Sequence, residues 1–436
     1  MKVSLPQEVC LAADRLLQSG FSVYLVGGCL RALLMGMEPH DYDLATDARP
    51  EQVLSVFHSF KVSQAGQKHG TIMVIIGNRP IEITTLRIDG TYSDRRRPDQ
   101  VRFTNEIQQD LSRRDFTMNA IAWLLPAGCY HEGQNRCTVF EIDPDQLIDP
   151  FGGVADLKAG LIRCVGDPEQ RFSEDALRIL RALRFKATLG FRLEEKTKKA
   201  VHHLAFLLRD IAVERILIEF SQILCGDFVE EVLIDFPDVL TVFIPELEPL
   251  TSQPDLWIQT ARRVARTEPI FALRLASLLR DLLPDFSSIK TVVTRLRCDS
   301  ATRRRVLNAL SCLMDKPQAD ERAVCHWMRR HGAEPVMDAL LLLKADETIS
   351  GCLIESLETV VKKILSDGRC YRIDDLAIRG SDLLQLGLKP GPRVGQILNR
   401  LLDQVIDGQI ENDREALLEA AALEIKEDLF PSESPE

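Results

Sequence analysis

YLVGGCLRALLMGMEPHDYDLATDARPEQV, residues 24–53, is the stretch whose reading decides the fold. Phe21–Val26 is an apolar run of strand length, and Gly27-Gly28 then opens a short helical stretch, CLRALLM. Asp41–Ala45 reads as a second strand, and Pro50–Phe57 as a helix that starts on a proline. Residues i and i+2 of a strand point to one face, so Asp41 and Asp43 should converge. Two carboxylates without His or Cys ligands suit a hard ion such as Mg²⁺, which takes carboxylates plus substrate phosphates. Asp-x-Asp alone is usually a solvated strand or turn, and Gly-Gly alone a tight turn. A strand, a Gly-Gly-led helix and Asp-x-Asp on a neighbouring strand are together far more specific. Glycines at a helix N-terminus let backbone N–H groups approach a triphosphate.

Working outward, Leu5–Gln18 is helix-periodic and ends at Gly20, while Thr71–Ile76 and Pro80–Leu86 read as strands. Residues 87–105, with Asp89, Asp94, Arg95-Arg96-Arg97 and Pro98, read as a polar loop, and 125–137 as another. From about residue 153 the strand signals fade. Glu169–Thr188, Glu194–Leu208, Val213–Leu224 and many later segments carry apolar residues at helical spacing. The expected class is α+β: a head with a mixed sheet over 1–150, then an all-helical neck (151–215), body (216–330) and tail (331–436). The end, from about Leu423 into EDLFPSESPE, is expected to fray.

The chain has 436 residues, 45% hydrophobic and 27% charged, an ordinary globular composition with ample core. Its longest apolar runs, such as Ala120–Leu125, are far too short for a membrane span, and the N-terminus lacks the apolar core of a signal peptide. Eleven cysteines without a CxxC pair argue against a disulfide framework or zinc ribbon and for a reducing cytoplasm. The net charge of −11 argues at first against a polyanion. Yet residues 221–436 hold 26 basic against 36 acidic residues, whereas 151–200 hold 11 basic against 7 acidic. Binding responds to such local surpluses rather than to net charge. GxGxxG after a strand, GxxxxGK[ST] and HExxH are all absent, which leaves Rossmann, P-loop and zincin chemistry unsupported.

Residues 24–53 resemble the signature of the class II tRNA nucleotidyltransferase and bacterial poly(A) polymerase superfamily. The resemblance continues in order through GTIMVIIGNRPIEITTLRIDG (70–90), RRPDQVRFTNEIQQDLSRRDFTMNAIA (96–122) and IDPFGGVADLKAGLIRCVGDPEQRFSEDALRILRALRF (148–185). A further block, GSDLLQLGLKPGPRVGQILNRLLDQVIDGQIENDREAL (380–417), is similar to the tail of bacterial CCA-adding enzymes. One departure is Ala32, where the family commonly has Asp after the arginine of its GGxVR motif.

The resemblance implies template-independent addition of CMP and AMP, from CTP and ATP, to the 3′ end of tRNA. It would make Asp41 and Asp43 the ligands of two Mg²⁺ ions, with Glu82 a weaker third carboxylate whose alternative role is a cross-strand ion pair. Gly28, Arg31 and Arg114 would take phosphate oxygens. For Arg113-Arg114 the alternative is a salt bridge with Asp110 or Asp115. In a helix expected over Glu174–Phe185, Asp175, Arg178, Arg181 and Arg184 would share one broad face. Such a face is usually solvated, but here it fits base reading. Cytosine and adenine both offer an exocyclic amine beside an acceptor nitrogen, which Asp175 and Arg178 would meet. Uracil and guanine would make both contacts repulsive. Arg181 and Arg184 would then serve the triphosphate or orient Asp175. In the resembling enzymes the 87–102 region is a flexible loop needed for the final A, so its presence favours CCA or A-only addition over CC-only. A poly(A) polymerase remains open, as does an RNA-binding module that has lost catalysis. Arg303-Arg304-Arg305 and Lys389 are the basic groups expected to hold tRNA in the helical half.

Overall fold

The computed structural model describes residues 2–90, 100–130 and 138–429. The chain divides into two compact units, Met1–Thr251 and Ser252–Glu436. In the first, β1 (Lys2–Leu5) precedes α1 (Gln7–Gln18); β2 (Val23–Val26) leads into α2 (Gly27–Leu34), and β3 (Asp43–Thr46) into α3 (Pro50–Val56). There follow β4 (Lys61–Ser63), β5 (Thr71–Ile76), β6 (Arg79–Thr85), β7 (Arg87–Asp89), β8 (Val101–Phe103), α4 (Ile107–Ser112), β9 (Ala122–Leu124), β10 (Thr138–Glu141) and β11 (Leu147–Ile148). Seven of these strands form one mixed sheet in the order β11-β9-β2-β3-β6-β5-β4, in which β3 and β6 run parallel and the other pairs antiparallel.

Alternation along the strands assigns the two faces of this sheet. Val23, Leu25, Leu44, Ile72, Val74, Ile81 and Ile83 join the main core with Val9, Leu16, Val53 and Phe57 from α1, α3 and the residue after α3. On the other face Val26, Ala45, Leu86 and Ala122 form a smaller core with Ile107 and Leu111 of α4. That second face also carries Asp43 and Glu82, which are register partners across the β3–β6 pair.

After α5 (Gly153–Lys158), α6 (Pro168–Glu174), α7 (Leu177–Leu189), α8 (Glu195–Leu204) and α9 (Val213–Leu224) follow. Among the described residues no strand occurs beyond the short Arg192–Leu193 segment, and the second unit is built of helices. The mixed-sheet head followed by helices is as expected.

Several local expectations need correction. The first helix starts at Gln7 rather than Leu5, because Leu5 ends a strand that pairs with β10. Residues 87–89 and 101–103 form an antiparallel hairpin rather than loop. The triple arginine and Asp94 of that region lie outside the described residues, as do 131–137 of the second expected loop. The last helix runs Arg414–Leu429, so Leu423 is still helical, while 430–436 of the end expected to fray lie outside the described residues. Most consequentially, the helix expected over Glu174–Phe185 is broken at Asp175, whose backbone is extended (φ −142°, ψ 102°). Its carboxylate accepts the Leu177 N–H at 3.1 Å, so the side chain caps α7 instead of continuing α6.

Candidate active site

A cavity of about 340 Å³ opens where β3, β6 and the start of α2 meet the α6–α7 junction. Gly27, Gly28, Asp43 and Glu82 line one side, with Arg113, Arg114, Asp115, Asn119, Asp175, Arg178 and Arg181 around the rest. The sheet presents Asp43 because Leu44 points into the main core, which turns its neighbour to the opposite face. Glu82 is exposed beside it on the parallel partner strand. Asp41 stands in a bend just before β3 and is exposed, so the pair is not carried on one strand as expected.

Burial pushes the Asp43 carboxyl up to about 6; Glu82 and Asp41 add to the rise and Arg114 opposes it. Asp43 makes no ion pair among the described residues. An uncompensated, half-buried carboxylate beside two others is a poor place for an anion and a good one for a cation. The donor set is oxygen only at the surface of the cavity; Cys29 lies behind it, near the Asp43 backbone, its thiol pushed up to about 12 by burial and so neutral. Among the described residues no group of three or more His, Cys, Asp or Glu side chains is placed to hold a metal ion. Asp43 with Glu82 beside it is a partial carboxylate set, whose chemistry fits an ion that completes its shell with phosphate oxygens and water.

Gly27 is the tightest point of the site. Its φ is +72°, and a Cβ there would stand 3.1 Å from Arg114 Nη1 and 3.3 Å from Asp43 Oδ2. Glycine thus lets the anionic and cationic groups approach over one backbone atom. Gly28, the residue singled out from sequence, has only Arg31 Nη2 near its would-be Cβ, at 3.8 Å. Arg31 donates to Asn119 Oδ1 and lies over the Phe185 ring at 4.7 Å, and burial lowers its pKa to about 10. Those contacts fix Arg31 in a chain that has Ala32 at the neighbouring position. Arg31 does not itself line the cavity.

Arg114 donates to Asp110 Oδ2 at 3.2 Å and to the Asn119 carbonyl at 3.3 Å, while its buried Nε has no hydrogen-bond partner among the described residues. The Nε is sealed from solvent, but Arg114 lines the cavity, and the second N–H of Nη1 or Nη2 is what a phosphate oxygen there would meet. Arg113 is also held by Asp110, at 2.7 and 2.9 Å, so both arginines make the salt bridge given above as their alternative role.

Asp175 and Arg178 both reach the cavity. Arg178 donates to Glu174 at 3.0 Å and to the carbonyls of Arg171 and Arg113 at 3.2 and 3.1 Å. Arg181 reaches Asp115, at 2.6 Å from Nη2. Burial alone would raise Asp115, but Arg181 and the Asn119 amide hold its carboxyl well below the usual range. Arg184 is not among the residues lining the cavity and pairs with Glu219 at 2.7 Å and Gln222 at 3.1 Å, so it is not brought to Asp175 and Arg178. Sequence reading named Gly27 only as part of the Gly-Gly step and Asp115 only as a salt-bridge partner, and it missed Asn119, Arg215 and Glu219. The last two lie in Val213–Leu224, whose apolar period marked the helix but concealed its charged edge.

In the second unit Arg303 and Arg304 are exposed, Arg305 is bound to Asp338 by two 2.8 Å hydrogen bonds, and Lys389 is exposed. No helix is long and apolar enough to cross a membrane among the described residues.

Residues 23–163 match the family described as "Poly A polymerase head domain", 190–250 that described as "Probable RNA and SrmB- binding site of polymerase A", and 277–421 a tRNA nucleotidyltransferase domain 2. The chain is 35% identical over 413 residues to a CCA-adding enzyme of Pediococcus pentosaceus, covering 92% of this chain and 94% of that protein. It is 35% identical over 431 residues to that of Leuconostoc citreum, covering 97% and 98%. Its structure is similar to that of the Bacillus stearothermophilus CCA-adding enzyme in complex with CTP, with a TM-score of 0.78, 29% identity and 98% of each chain covered. A Thermotoga maritima CCA-adding enzyme complexed with tRNA shares the fold at a TM-score of 0.66 and 22% identity.

Proposed function

Because the chain belongs to the CCA-adding enzymes of the tRNA nucleotidyltransferase and poly(A) polymerase superfamily, we propose that the cavity at the β3–β6 edge is where nucleotide and tRNA 3′ end react. The enzyme adds CMP and AMP from CTP and ATP to tRNA, without a nucleic-acid template and with release of diphosphate. The relatives extend over both units, which favours CCA addition over A-only or poly(A) synthesis. A binding module without catalysis would have no need of the Asp41/Asp43 pair.

The observation that carries the site reading is Asp43: a half-buried carboxylate beside Glu82, in a cavity that Arg114 also lines. The family implies a divalent metal, and we take it to be Mg²⁺, held by Asp41 and Asp43 with Glu82 in a supporting place. When bound, such ions supply activation of the primer hydroxyl and neutralisation of triphosphate charge. The chain's own part is to hold and orient. The Arg114 guanidinium and the N–H groups at the start of α2, Gly28 among them, take phosphate oxygens. Arg31, one turn further on, reinforces the positive field behind them. Asp175 accepts the exocyclic amine shared by cytosine and adenine, and Arg178 donates to the ring nitrogen beside it. Arg181, tied to Asp115, fixes α7, which carries Arg178 and begins just after Asp175. We further take residues 1–150 as catalytic head, 151–215 as neck, 216–330 as body and 331–436 as tRNA-binding tail, in a cytoplasmic protein. The free state of the ten described cysteines agrees with that compartment.

The test uses tRNA transcripts ending before CCA, after C and after CC, each with ATP, CTP or both. Two C and then one A, followed by a stop, is the expected product; unlimited A addition would overturn the reading. Asp41→Ala and Asp43→Ala should each abolish incorporation of both nucleotides while filter binding of tRNA persists. Asp175→Ala should lose selectivity against UTP and GTP by roughly 5–150-fold, equivalent to about 1–3 kcal/mol.

A further inference from the structure

Asp110 lies in α4, only 1% exposed, and is not among the residues lining the cavity. Its two carboxylate oxygens have separate partners. Oδ1 accepts from Arg113 Nε and Nη2, at 2.9 and 2.7 Å, and from the backbone N–H of Arg87 in β7, at 3.3 Å. Oδ2 accepts from Arg114 Nη2 at 3.2 Å. Burial would raise the Asp110 carboxyl, but Arg113 and Arg114 hold it below the ordinary carboxylate range, so it stays charged. A buried acid that takes two arginines and a main-chain donor from another element does more than the local pairing its spacing supplies.

We infer that Asp110 is a positioning residue for the triphosphate, fixing the plane of the Arg114 guanidinium in advance of the ligand. The inference rests on the proposed phosphate-binding role of Arg114. Arg114 is held at two points, Nη2 by Asp110 and Nη1 by the Asn119 carbonyl at 3.3 Å. Anchors on two nitrogens set the plane of the fork, whereas one anchor leaves it free to swing on a long, flexible side chain. Nη1 also stands 3.1 Å from where a Cβ on Gly27 would be, so the held guanidinium lies close over the backbone at the start of α2. A fork fixed before binding gives up less freedom when phosphate oxygens arrive.

In one respect Asp110 works against binding. Its charge offsets one of the two arginine charges beside the cavity, and removing it would strengthen the attraction of that corner for any anion. Orientation and field therefore predict opposite signs. If orientation governs, losing the carboxylate weakens the grip on phosphate even though the site becomes more positive. The effect is also confined to ligands with a phosphate chain. Arg178 touches this cluster only at the Arg113 carbonyl, at 3.1 Å, and is held independently by Glu174 at 3.0 Å and the Arg171 carbonyl at 3.2 Å. Asp175 is held by the Leu177 N–H and Arg215, away from Asp110.

The experiment measures dissociation constants of CTP, CMP and inorganic triphosphate for the full-length enzyme in Mg²⁺ without tRNA, by titration calorimetry, with CTP displacement for the weaker ligands. The variants are Asp110→Asn, Arg114→Gln and the two combined. Asp110→Asn should weaken CTP and inorganic triphosphate about 10-fold and leave CMP unchanged. Tighter binding of both would make Asp110 a counter-charge only, and an equal loss for CMP would mark a packing role; either result overturns the inference. The combined variant should bind CTP no more weakly than Arg114→Gln alone, because Asp110 acts through Arg114, and additive losses would also overturn it. If Asp110→Asn does not fold, Asp110→Glu takes its place, with the charge kept and the arm one methylene longer. It should weaken inorganic triphosphate by about 3-fold or more with CMP unchanged, and wild-type affinity for both would refute the positioning role. If Arg114→Gln keeps wild-type affinity for CTP and inorganic triphosphate, the phosphate role of Arg114 has failed. If it loses them and Asp110→Asn does not, the inference about Asp110 alone has failed.

Discussion

Replacing Asp43 by Asn should make the metal-free protein more stable at pH 8 while removing its activity. The carboxyl is pushed from 3.8 to about 6, first by burial and then by Glu82, with Asp41 adding and Arg114 opposing. A carboxyl raised on folding holds its proton more tightly in the folded than in the unfolded chain. Stability therefore falls as pH rises from about 4 to about 6 and stays lower above that. Two units at about 1.4 kcal/mol each set a ceiling near 3 kcal/mol, and solvent screening beside an open cavity reduces the expected effect to about 1–2 kcal/mol. Asn has the same shape without the charge and escapes the penalty. In EDTA at pH 8, the melting temperature of the unit carrying Asp43 should rise by about 2–8 °C. The gap should shrink to roughly half at pH 5, as the folded wild type regains its proton. Added Mg²⁺ should stabilise the wild type and leave Asp43→Asn unmoved. Scanning calorimetry across this pH range decides the matter. A variant no more stable than the wild type, or a gap constant from pH 5 to pH 8, would refute the reasoning.

Two further substitutions test the frame around the site. Gly27→Ala forces a side chain into φ +72° and against Arg114 and Asp43. It should cost about 1–2 kcal/mol in urea unfolding and most of the incorporation rate, whereas Gly36→Ala, also at positive φ but in open space, should cost stability alone. Glu219→Gln leaves Arg184 and Arg181 short of a counter-charge on a largely buried helix face. A loss of about 2 kcal/mol is expected by the same unfolding measurement, and a change below about 0.5 kcal/mol would show the pair to be solvent-screened.

The sheet and the Gly-Gly-led helix were legible because local rules act alone there: alternation sets a strand's faces, and glycine sets a helix start. Asp43 could be named from spacing because its two-residue step from Asp41 is a local geometry, even though Asp41 sits outside the strand. The break at Asp175 was hidden, since its apolar surroundings, ALRILRALRF, carry helical spacing straight through the capping residue. Only the hydrogen bond from Leu177 reveals that the side chain has taken over the backbone's partner. Arg184 misled for a related reason. Three-residue spacing places it with Arg178 and Arg181, but the drift of a 3.6-residue turn and the charge of Glu219 draw it to the far side. Partners 30 to 90 positions away, such as Asn119 for Arg31 and Arg215 for Asp175, leave no mark in a local pattern.

The run of contacts from Arg31 through Asn119, Asp115 and Arg181 to Glu219 and Arg184 alternates donor and acceptor with few spare sites. Its members come from α2, the segment after α4, α7 and α9, so no single stretch of chain holds the whole. A substitution at one position strands its neighbour's charge in a largely buried setting, at a cost comparable to much of a domain's stability. Such a change can persist in a lineage only if a matching change follows next door. These six positions should therefore be inherited as a block, drifting in compensated pairs where they drift at all, while the exposed arginines of the helical half remain free to wander.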